Sequence, residues 1–184
     1  MPLLRIEGYV IVSADGMLAD ARNVMPDELK FEGDKAFFTA ALDRADLILH
    51  GRNSYEDQPN SPRRKRVILT HEVEAIATAP FNPKATMWNP AGANFEAACE
   101  HAGVRDGTVA IIGGPGVFGM FMDRYEVFWL SQAPHVHVPD GEPCFPGVPA
   151  QTPQQVLQSH GLRAGQAQLL DPAADVTVTP WRRG

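Results

Sequence analysis

Short apolar segments that alternate with helical ones are the feature that most constrains the fold of this chain of 184 residues. These segments are rich in Val, Ile and Leu and end at or just before Gly, Ser or Thr, as buried strands commonly do. They are residues 4–13, 46–51, 66–70, 108–112 and 126–131, with a shorter candidate at 86–88. Strands that alternate with helices predict an α/β fold with a mostly parallel sheet.

Helices are predicted between these strands. The segment from Asp34 to Ala45 repeats apolar residues at helical spacing. Three further segments carry an Asn or Thr cap, an early Pro or a final Gly, and these residues start and stop helices. They are 94–103, 115–123 and 152–161.

Two late apolar segments, 166–170 and 175–181, have no helix between them and predict an antiparallel C-terminal hairpin. Residues 17–32 and the segment 133–149, which contains five prolines, are predicted to be loops. We therefore expect residues 1–184 to form one domain, with a central mixed, mostly parallel sheet flanked by helices.

Composition narrows the classes of function. The net charge of −6 argues against a nucleic acid partner, because such proteins need a basic surface. No apolar stretch approaches the roughly 20 residues that span a bilayer, and the N-terminal segment contains charges where a signal peptide is apolar. Cys99 and Cys144 are predicted to be free thiols, so we expect a cytoplasmic protein without a membrane partner.

A glycine motif follows the strand at 108–112. Gly114, Gly116 and Gly119 match the G-x-G-x-x-G pattern of Rossmann dinucleotide sites. That fold places an acidic residue about 20 positions later at the end of the next strand, whereas residues 139–143 here read PDGEP, a turn. The Rossmann interpretation is therefore disfavoured. A strand-to-helix turn that a ligand can approach closely, or a tight turn with no ligand, stays open.

A second glycine segment, HGRNSYE at 50–56, follows another predicted strand. It supplies a guanidinium and short polar side chains, and Arg suits phosphate groups. Four consecutive cations then occupy 63–66. They indicate either a solvated loop or a contribution to binding a polyphosphate, such as the 2′-phosphate of NADP.

In this order, the segments resemble the dihydrofolate reductase-like fold, and more closely the reductase domain of bacterial riboflavin biosynthesis, here as a stand-alone domain. The resemblance covers residues 4 to about 180. It is carried by SADG, D-x-x-F-F, ADLILHGRNSYE, RKRVILT, IIGGPGVF, EVFWLS and a later FPG.

The resemblance implies an NADPH site. It assigns the cofactor phosphates to the Gly51, Arg52 and Ser54 turn and the adenosine ribose to Thr70 and His71. It assigns the nicotinamide end of the cofactor to the Gly-Gly pair, where the family often has a cis peptide, and to a mobile loop that follows the first strand. The remaining implied cofactor residues are Gly16, Leu18, Gly113, Gly114, Gly116, Val117 and Phe118.

The resemblance also implies a substrate side. Asp34 matches the carboxylate with which dihydrofolate reductases hold and protonate their heterocycle, and Ser131 matches a neighbouring hydroxyl. Phe38 and Asp15 are further substrate candidates. For Asp34 a plain helix N-cap remains an alternative, and for Asp15 an ordinary Asp-Gly turn does.

The sequence differs from each of the two subfamilies at a position typical of it, so neither subfamily's substrate can be assigned directly. Riboflavin-type reductases usually carry a Lys at the position of Tyr9, and the mobile loop lacks the Trp of folate reductases. We expect an NADPH-dependent reductase of a pteridine, a pyrimidine resembling a riboflavin precursor, or a related small heterocycle. The alternatives are a genuine dihydrofolate reductase and a cofactor-binding module without catalysis. The resemblance also implies a homodimer. The HVH segment at 135–137 lacks a full ligand set, so no metal site is predicted.

Overall fold

The computed structural model describes residues 3–184 and is built around one ten-stranded sheet. Its strands run in the order β10-β12-β8-β1-β7-β3-β4-β6-β5, and β11 pairs with β12. The strands are β1 Leu4–Ser13, β2 Met17–Ala19, β3 Leu47–Gly51, β4 Arg66–Leu69, β5 Ile76–Thr78, β6 Ala85–Trp88, β7 Gly107–Ile111, β8 Tyr125–Ala133, β9 Glu142–Pro143, β10 Leu162–Ala164, β11 Gln168–Asp171 and β12 Val176–Arg183.

The helices flank this sheet. They are α1 Glu32–Arg44, α2 Phe95–His101, α3 Pro115–Met120 and α4 Pro153–Ser159, with short 3₁₀ turns at Asp27–Leu29 and Ser61–Arg63. Ile48 and Ala110 contact α1, whereas their chain neighbours Leu47, Leu49 and Val109 belong to the core that contains α2, α3 and α4. Because strand residues alternate between faces, α1 covers one face and the other three helices cover the opposite one.

The predicted sheet is confirmed. β1 lies between β7 and β8 and pairs in parallel with both, and β3 pairs in parallel with β7 and β4. At the C-terminus, β12 runs antiparallel to β8 and β11, which gives the predicted hairpin. The strand Leu4–Ser13 has the predicted bounds, and the other predicted strands agree to within a residue or two.

The prediction that residues 17–32 and 133–149 are loops is wrong in one respect. Each segment contributes a short strand, and the two strands, β2 and β9, pair as a separate antiparallel ribbon. β5 and β10 were also missed. These strands contain only two or three residues each, too few to show an alternating pattern.

Helix ends follow the sequence signals where a cap is present. Asn94 accepts a hydrogen bond from the Ala97 N–H at the start of α2, and Thr152 forms a full capping box with Gln155 at α4. Between residues 3 and 184, no helix has the length and apolar character needed to cross a membrane.

Candidate active site

A cavity of about 300 Å³ lies between α1 and the sheet face that α1 covers. Strand residues from β1 and β8 form its floor, and α1 forms one wall. The remaining sides come from β2 and the loop after it, and from the segments that follow β3 and β7. Its lining is Tyr9, Val10, Ile11, Leu18, Ala19, Asn23, Met25, Asp34, Phe37, Phe38, Asn53, Ser54, Tyr55, Glu56, Ile112, Gly113, Gly114, Trp129 and Ser131.

Aromatic rings dominate one end of this cavity. The Tyr9 and Trp129 rings lie nearly parallel, with their centres 6.4 Å apart. Glu7 links them, because its carboxylate accepts hydrogen bonds from the Trp129 indole N–H at 2.9 Å and the Tyr9 hydroxyl at 3.2 Å. From α1, Phe37 packs against both rings and Phe38 against Tyr9. These four rings make this end of the cavity apolar, and we call it the aromatic slot; such a lining suits a planar ring.

Asp34 contributes a carboxyl group to the lining of this cavity. It is the third residue of α1, and the helix N-cap is Phe31, whose side chain makes no capping hydrogen bond. The alternative of Asp34 as a plain N-cap is therefore wrong. Burial raises the pKa of the Asp34 carboxyl to about 6, and the neighbouring Ser131 hydroxyl offsets part of that rise. Ser131 is itself buried on β8, and the two side chains line the same cavity.

A glycine turn forms the boundary between this cavity and a second depression. The peptide bond between Gly113 and Gly114 is cis, and Gly113 has φ +134°, which favours glycine. The Gly113 carbonyl accepts a hydrogen bond from the Gly51 N–H at 2.8 Å. The Gly51 carbonyl in turn accepts from the Ser54 N–H at 3.1 Å. The turns after β3 and β7 are therefore joined by backbone hydrogen bonds.

The second depression is a groove of about 450 Å³ along the carboxyl ends of β3, β4 and β7. Arg52 lies in it as an exposed guanidinium that forms no ion pair with any residue in 3–184. A Cβ added to Gly116 would meet no atom within 4 Å, so this backbone faces open space. Four residues line both the groove and the cavity: Asn23, Asn53, Ser54 and Gly114.

The structure brings most of the sequence-predicted residues to these two compartments. The cavity contains Leu18, Asp34, Phe38, Ser131 and Gly113. The groove contains Gly51, Arg52, Ser54, Thr70, His71, Gly114, Gly116 and Val117. The two sets come from six separate segments of the chain.

Three predicted residues lie elsewhere. Asp15 accepts hydrogen bonds from the Ser13 hydroxyl and, at 3.1 Å, from the Val138 N–H, so it fastens the turn after β1 instead of facing the cavity. Gly16 is buried beside Val148 and Pro153, which a Cβ would meet at 2.8 and 3.3 Å. The Phe118 ring is fully buried against Phe128 and Phe145 beneath the glycine turn. None of the three residues lines either compartment.

The basic segment 63–66 does not reach the groove. It leads into β4, whose first residue is Arg66, whereas the groove lies at the opposite, carboxyl end of that strand. Arg66 is fully buried and forms two hydrogen bonds with Glu56, at 2.6 and 2.7 Å. Although burial alone raises the pKa of Glu56, the ion pair with Arg66 outweighs it and lowers that pKa. Arg66 therefore anchors a wall of the cavity and does not bind a phosphate.

His50 connects this ion pair to the glycine turn. Its Nδ1 lies 2.6 Å from the Gly51 carbonyl, which can only accept, so Nδ1 carries the proton. Its Nε2 accepts from the Arg66 guanidinium at 2.9 Å. Burial lowers the pKa of His50 to about 4, against the opposing hydrogen bond to Gly51. The ring is therefore neutral at physiological pH and holds the Gly51 turn in place.

Several lining residues were not predicted as site residues, chiefly Tyr9, Phe37, Tyr55, Glu56 and Trp129. Period-two alternation offered a signal for two of them, because Tyr9 pairs with Trp129 and Ile11 with Ser131 on the same sheet face. Glu56 had no such signal, since its position depends on an ion pair with a residue ten positions away.

Comparisons with solved structures show a dihydrofolate reductase-like fold. A protein from Shewanella sp. PV-4 assigned to riboflavin biosynthesis aligns with 98% of this chain and 99% of its own, at TM-score 0.64 and 17% identity. Dihydrofolate reductase from Enterococcus faecalis, complexed with NADP(H), aligns over 98% and 96% of the two chains, at TM-score 0.66 and 14% identity.

A third similar structure is longer than this chain. It is a diaminohydroxyphosphoribosylaminopyrimidine deaminase and 5-amino-6-(5-phosphoribosylamino)uracil reductase from Thermotoga maritima, of which this chain covers 56%, at TM-score 0.63 and 16% identity. No protein-family model matches the sequence, and a search of the curated proteins finds no match.

Proposed function

We propose that this protein is an NADPH-dependent reductase that reduces a C=N bond of a small heterocycle of the pteridine or pyrimidine type. One observation carries the proposal. The cavity that contains Asp34 and the groove that contains Arg52 share the wall formed by Asn53, Ser54 and Gly114. A planar substrate in the first and a dinucleotide in the second would meet at this wall.

The groove fits a phosphate-bearing dinucleotide. Arg52 offers an exposed cation, and guanidinium groups bind phosphates with two parallel hydrogen bonds. The open backbone at Gly116 leaves room for close approach. Thr70 and His71 add a hydroxyl and an imidazole at the end of β4. When bound, NADPH supplies a hydride from its nicotinamide ring, and one of the similar structures is complexed with NADP(H).

The residues of the cavity supply the rest of the chemistry. Tyr9, Phe37 and Trp129 exclude water and orient a flat ring. Burial raises the pKa of Asp34 to about 6, so at neutral pH the carboxyl is mostly ionised and only a minority of molecules carry the proton. This pKa lies close to the range in which general acid–base catalysis is effective. The Ser131 hydroxyl can donate to or accept from a ring substituent. Together they position a ring nitrogen and provide its proton.

Titration with NADPH tests the cofactor site. We expect quenching of tryptophan fluorescence or a rise in thermal midpoint, and an Arg52→Ala variant that binds at least about tenfold more weakly, since charge-assisted hydrogen bonds to phosphate are lost. Arg63→Ala is the matched control, an exposed arginine before β4 and outside the groove. No binding at millimolar NADPH, or equal losses in both variants, would contradict the proposal.

Turnover is tested separately by following NADPH oxidation with a panel of dihydropterins, dihydrofolate and ribosylaminopyrimidines. Asp34→Asn is the key variant, and we expect it to retain NADPH binding while losing most of its reductase activity. NADPH binding without oxidation in the presence of any heterocycle would instead identify a non-catalytic cofactor-binding module.

A further inference from the structure

The charges that line the cavity are all negative. Within residues 3–184, its lining includes two carboxylates, Asp34 and Glu56, and no Lys, Arg or His. The remaining lining is aromatic, aliphatic, or neutral and polar. A ligand in this cavity therefore meets apolar surface, neutral polar groups such as Asn53, Ser54 and Ser131, and two carboxylates, but no cation in the lining that could pair with an anion.

The two carboxylates differ in how they are compensated. Glu56 pairs with Arg66 at 2.6 Å, and Arg64 lies 3.3 Å from the same oxygen. Asp34, in contrast, forms no ion pair with any residue in the described part of the chain. Its charge is the one that a ligand in the slot would face.

Two guanidinium groups pack against aromatic rings of the cavity lining without entering the cavity. The Arg66 guanidinium lies 4.3 Å from the centre of the Tyr55 ring and is occupied by Glu56. Arg182 lies 5.5 Å from the centre of the Trp129 ring, but it is exposed on β12 and outside the cavity lining. Neither offers a free guanidinium to an anion inside the slot.

We propose that the substrate of this cavity is a flat, uncharged heterocycle of one or two rings, and that the wall discriminates against analogues that carry a phosphate or carboxylate on the ring. This assignment rests on the proposed function. A volume of about 300 Å³ accommodates one or two rings with a short substituent. A phosphate a few ångströms from the uncompensated Asp34 would meet like-charge repulsion, worth on the order of 100-fold in affinity at an effective dielectric near 20.

Two matched pairs of compounds test the assignment. The first is a dihydropterin with a hydroxymethyl substituent and its phosphate ester. The second is a ribosylaminouracil with and without its ribose phosphate. Within each pair only the phosphate differs. Calorimetric binding is measured first, in the presence of NADP⁺, and NADPH oxidation second, at a pH where Asp34 is ionised.

We expect the uncharged member of each pair to bind about 100-fold more tightly than its phosphate ester, with a similar ratio in kcat/KM. Equal or tighter binding of either phosphate ester would overturn the assignment. So would failure of all four compounds to bind at millimolar concentration. Binding of the uncharged member without NADPH oxidation would leave the assignment standing and instead contradict the proposed reductase function.

A charge variant tests the electrostatic cause. Met25 lines the cavity and carries no charge, so Met25→Lys adds a cation there, and Met25→Gln is the neutral control of similar length. We expect the lysine variant to reduce the discrimination against the phosphate esters at least about tenfold, and the glutamine variant to leave it unchanged. An unchanged ratio in a folded Met25→Lys protein would contradict an electrostatic origin.

Discussion

The half-buried Asp34 carboxyl has a raised pKa, which favours proton transfer but lowers the stability of the fold when the group is ionised. Its surroundings are aromatic on one side and hydroxyl-bearing on the other, and burial raises its pKa from 3.8 to about 6. A carboxyl with a pKa of about 6 gains and loses its proton close to neutral pH, so it can pass a proton to a substrate. The same burial disfavours the ionised side chain once the proton has left, so the folded protein tolerates Asp34 less well at alkaline pH.

We predict that Asp34→Asn stabilises the free protein at pH 8 by up to about 3 kcal/mol, because roughly two pKa units separate the folded and unfolded states. Since the folded pKa is raised, the stability of the wild type falls as pH rises from about 4 to 6, and the difference between variant and wild type grows over that interval. Urea denaturation of both proteins at several pH values measures it.

The informative quantity is the difference in the free energy of unfolding between the wild type and Asp34→Asn. His50, with its pKa lowered to about 4, gains stability as pH rises from about 4 to 6.5, which opposes the slope from Asp34. A pH-independent difference would show that Asp34 titrates normally in the folded protein.

Gly113, in the turn after β7, and Gly116, in α3, are expected to respond differently to replacement by alanine. Gly113→Ala places a Cβ at φ +134° and 3.0 Å from the Ser54 Oγ, and we expect it to lower the free energy of unfolding by about 1–3 kcal/mol. Gly116→Ala lies in α3 with nothing within 4 Å. It should leave stability equal or up to about 1 kcal/mol higher, yet weaken NADPH binding by filling the groove.

Thermal denaturation and NADPH titration of both variants make the comparison. A destabilised Gly116→Ala, or a Gly113→Ala with unchanged stability, would contradict the description of the turn.

At the scale of elements, the sequence predicts the scaffold better than the walls of the cavity. The strands β1, β3, β7 and β8 are long apolar segments, and α2 and α4 carry caps, so their types follow from local chemistry. The ribbon of β2 and β9 does not follow from local chemistry, because its strands are short and lie more than a hundred residues apart in the sequence. Likewise, the sequence left residues 63–66 open as a solvated loop or a contribution to phosphate binding, because a buried Arg66–Glu56 pair is not visible in sequence.

That ion pair anchors the segment between β3 and β4, and we predict that breaking it is costly. Glu56→Gln leaves the fully buried Arg66 without its main partner and should lower the free energy of unfolding by about 3–5 kcal/mol. Adding Arg66→Met to that variant removes the unpaired charge and should restore a large part of the loss. Urea denaturation of both single variants and the double variant gives the coupling energy. Additive effects would show that the two side chains act independently.

At the scale of the whole molecule, the sheet brings segments that are distant in sequence together near the carboxyl ends of its parallel strands. The groove lies along the carboxyl ends of β3, β4 and β7, the position at which open α/β sheets bind ligands, and the cavity adjoins it through shared lining residues. Sequence order predicted this arrangement through the resemblance to a known fold, and the structure comparisons confirm the fold. Neither the resemblance nor the comparisons identify all the side chains that line the cavity, because Tyr9, Trp129 and Glu56 become neighbours only through tertiary packing.

The wall shared by Asn53, Ser54 and Gly114 has a thermodynamic consequence. A ligand on one side that orders these residues lowers the entropic cost of binding on the other, and by linkage the effect is reciprocal. We predict that NADP⁺ tightens heterocycle binding and that the heterocycle tightens NADP⁺ binding by the same factor, about 5-fold or more. Calorimetric titrations in both orders measure the two factors. Independent binding would mean that the wall is already rigid before either ligand arrives.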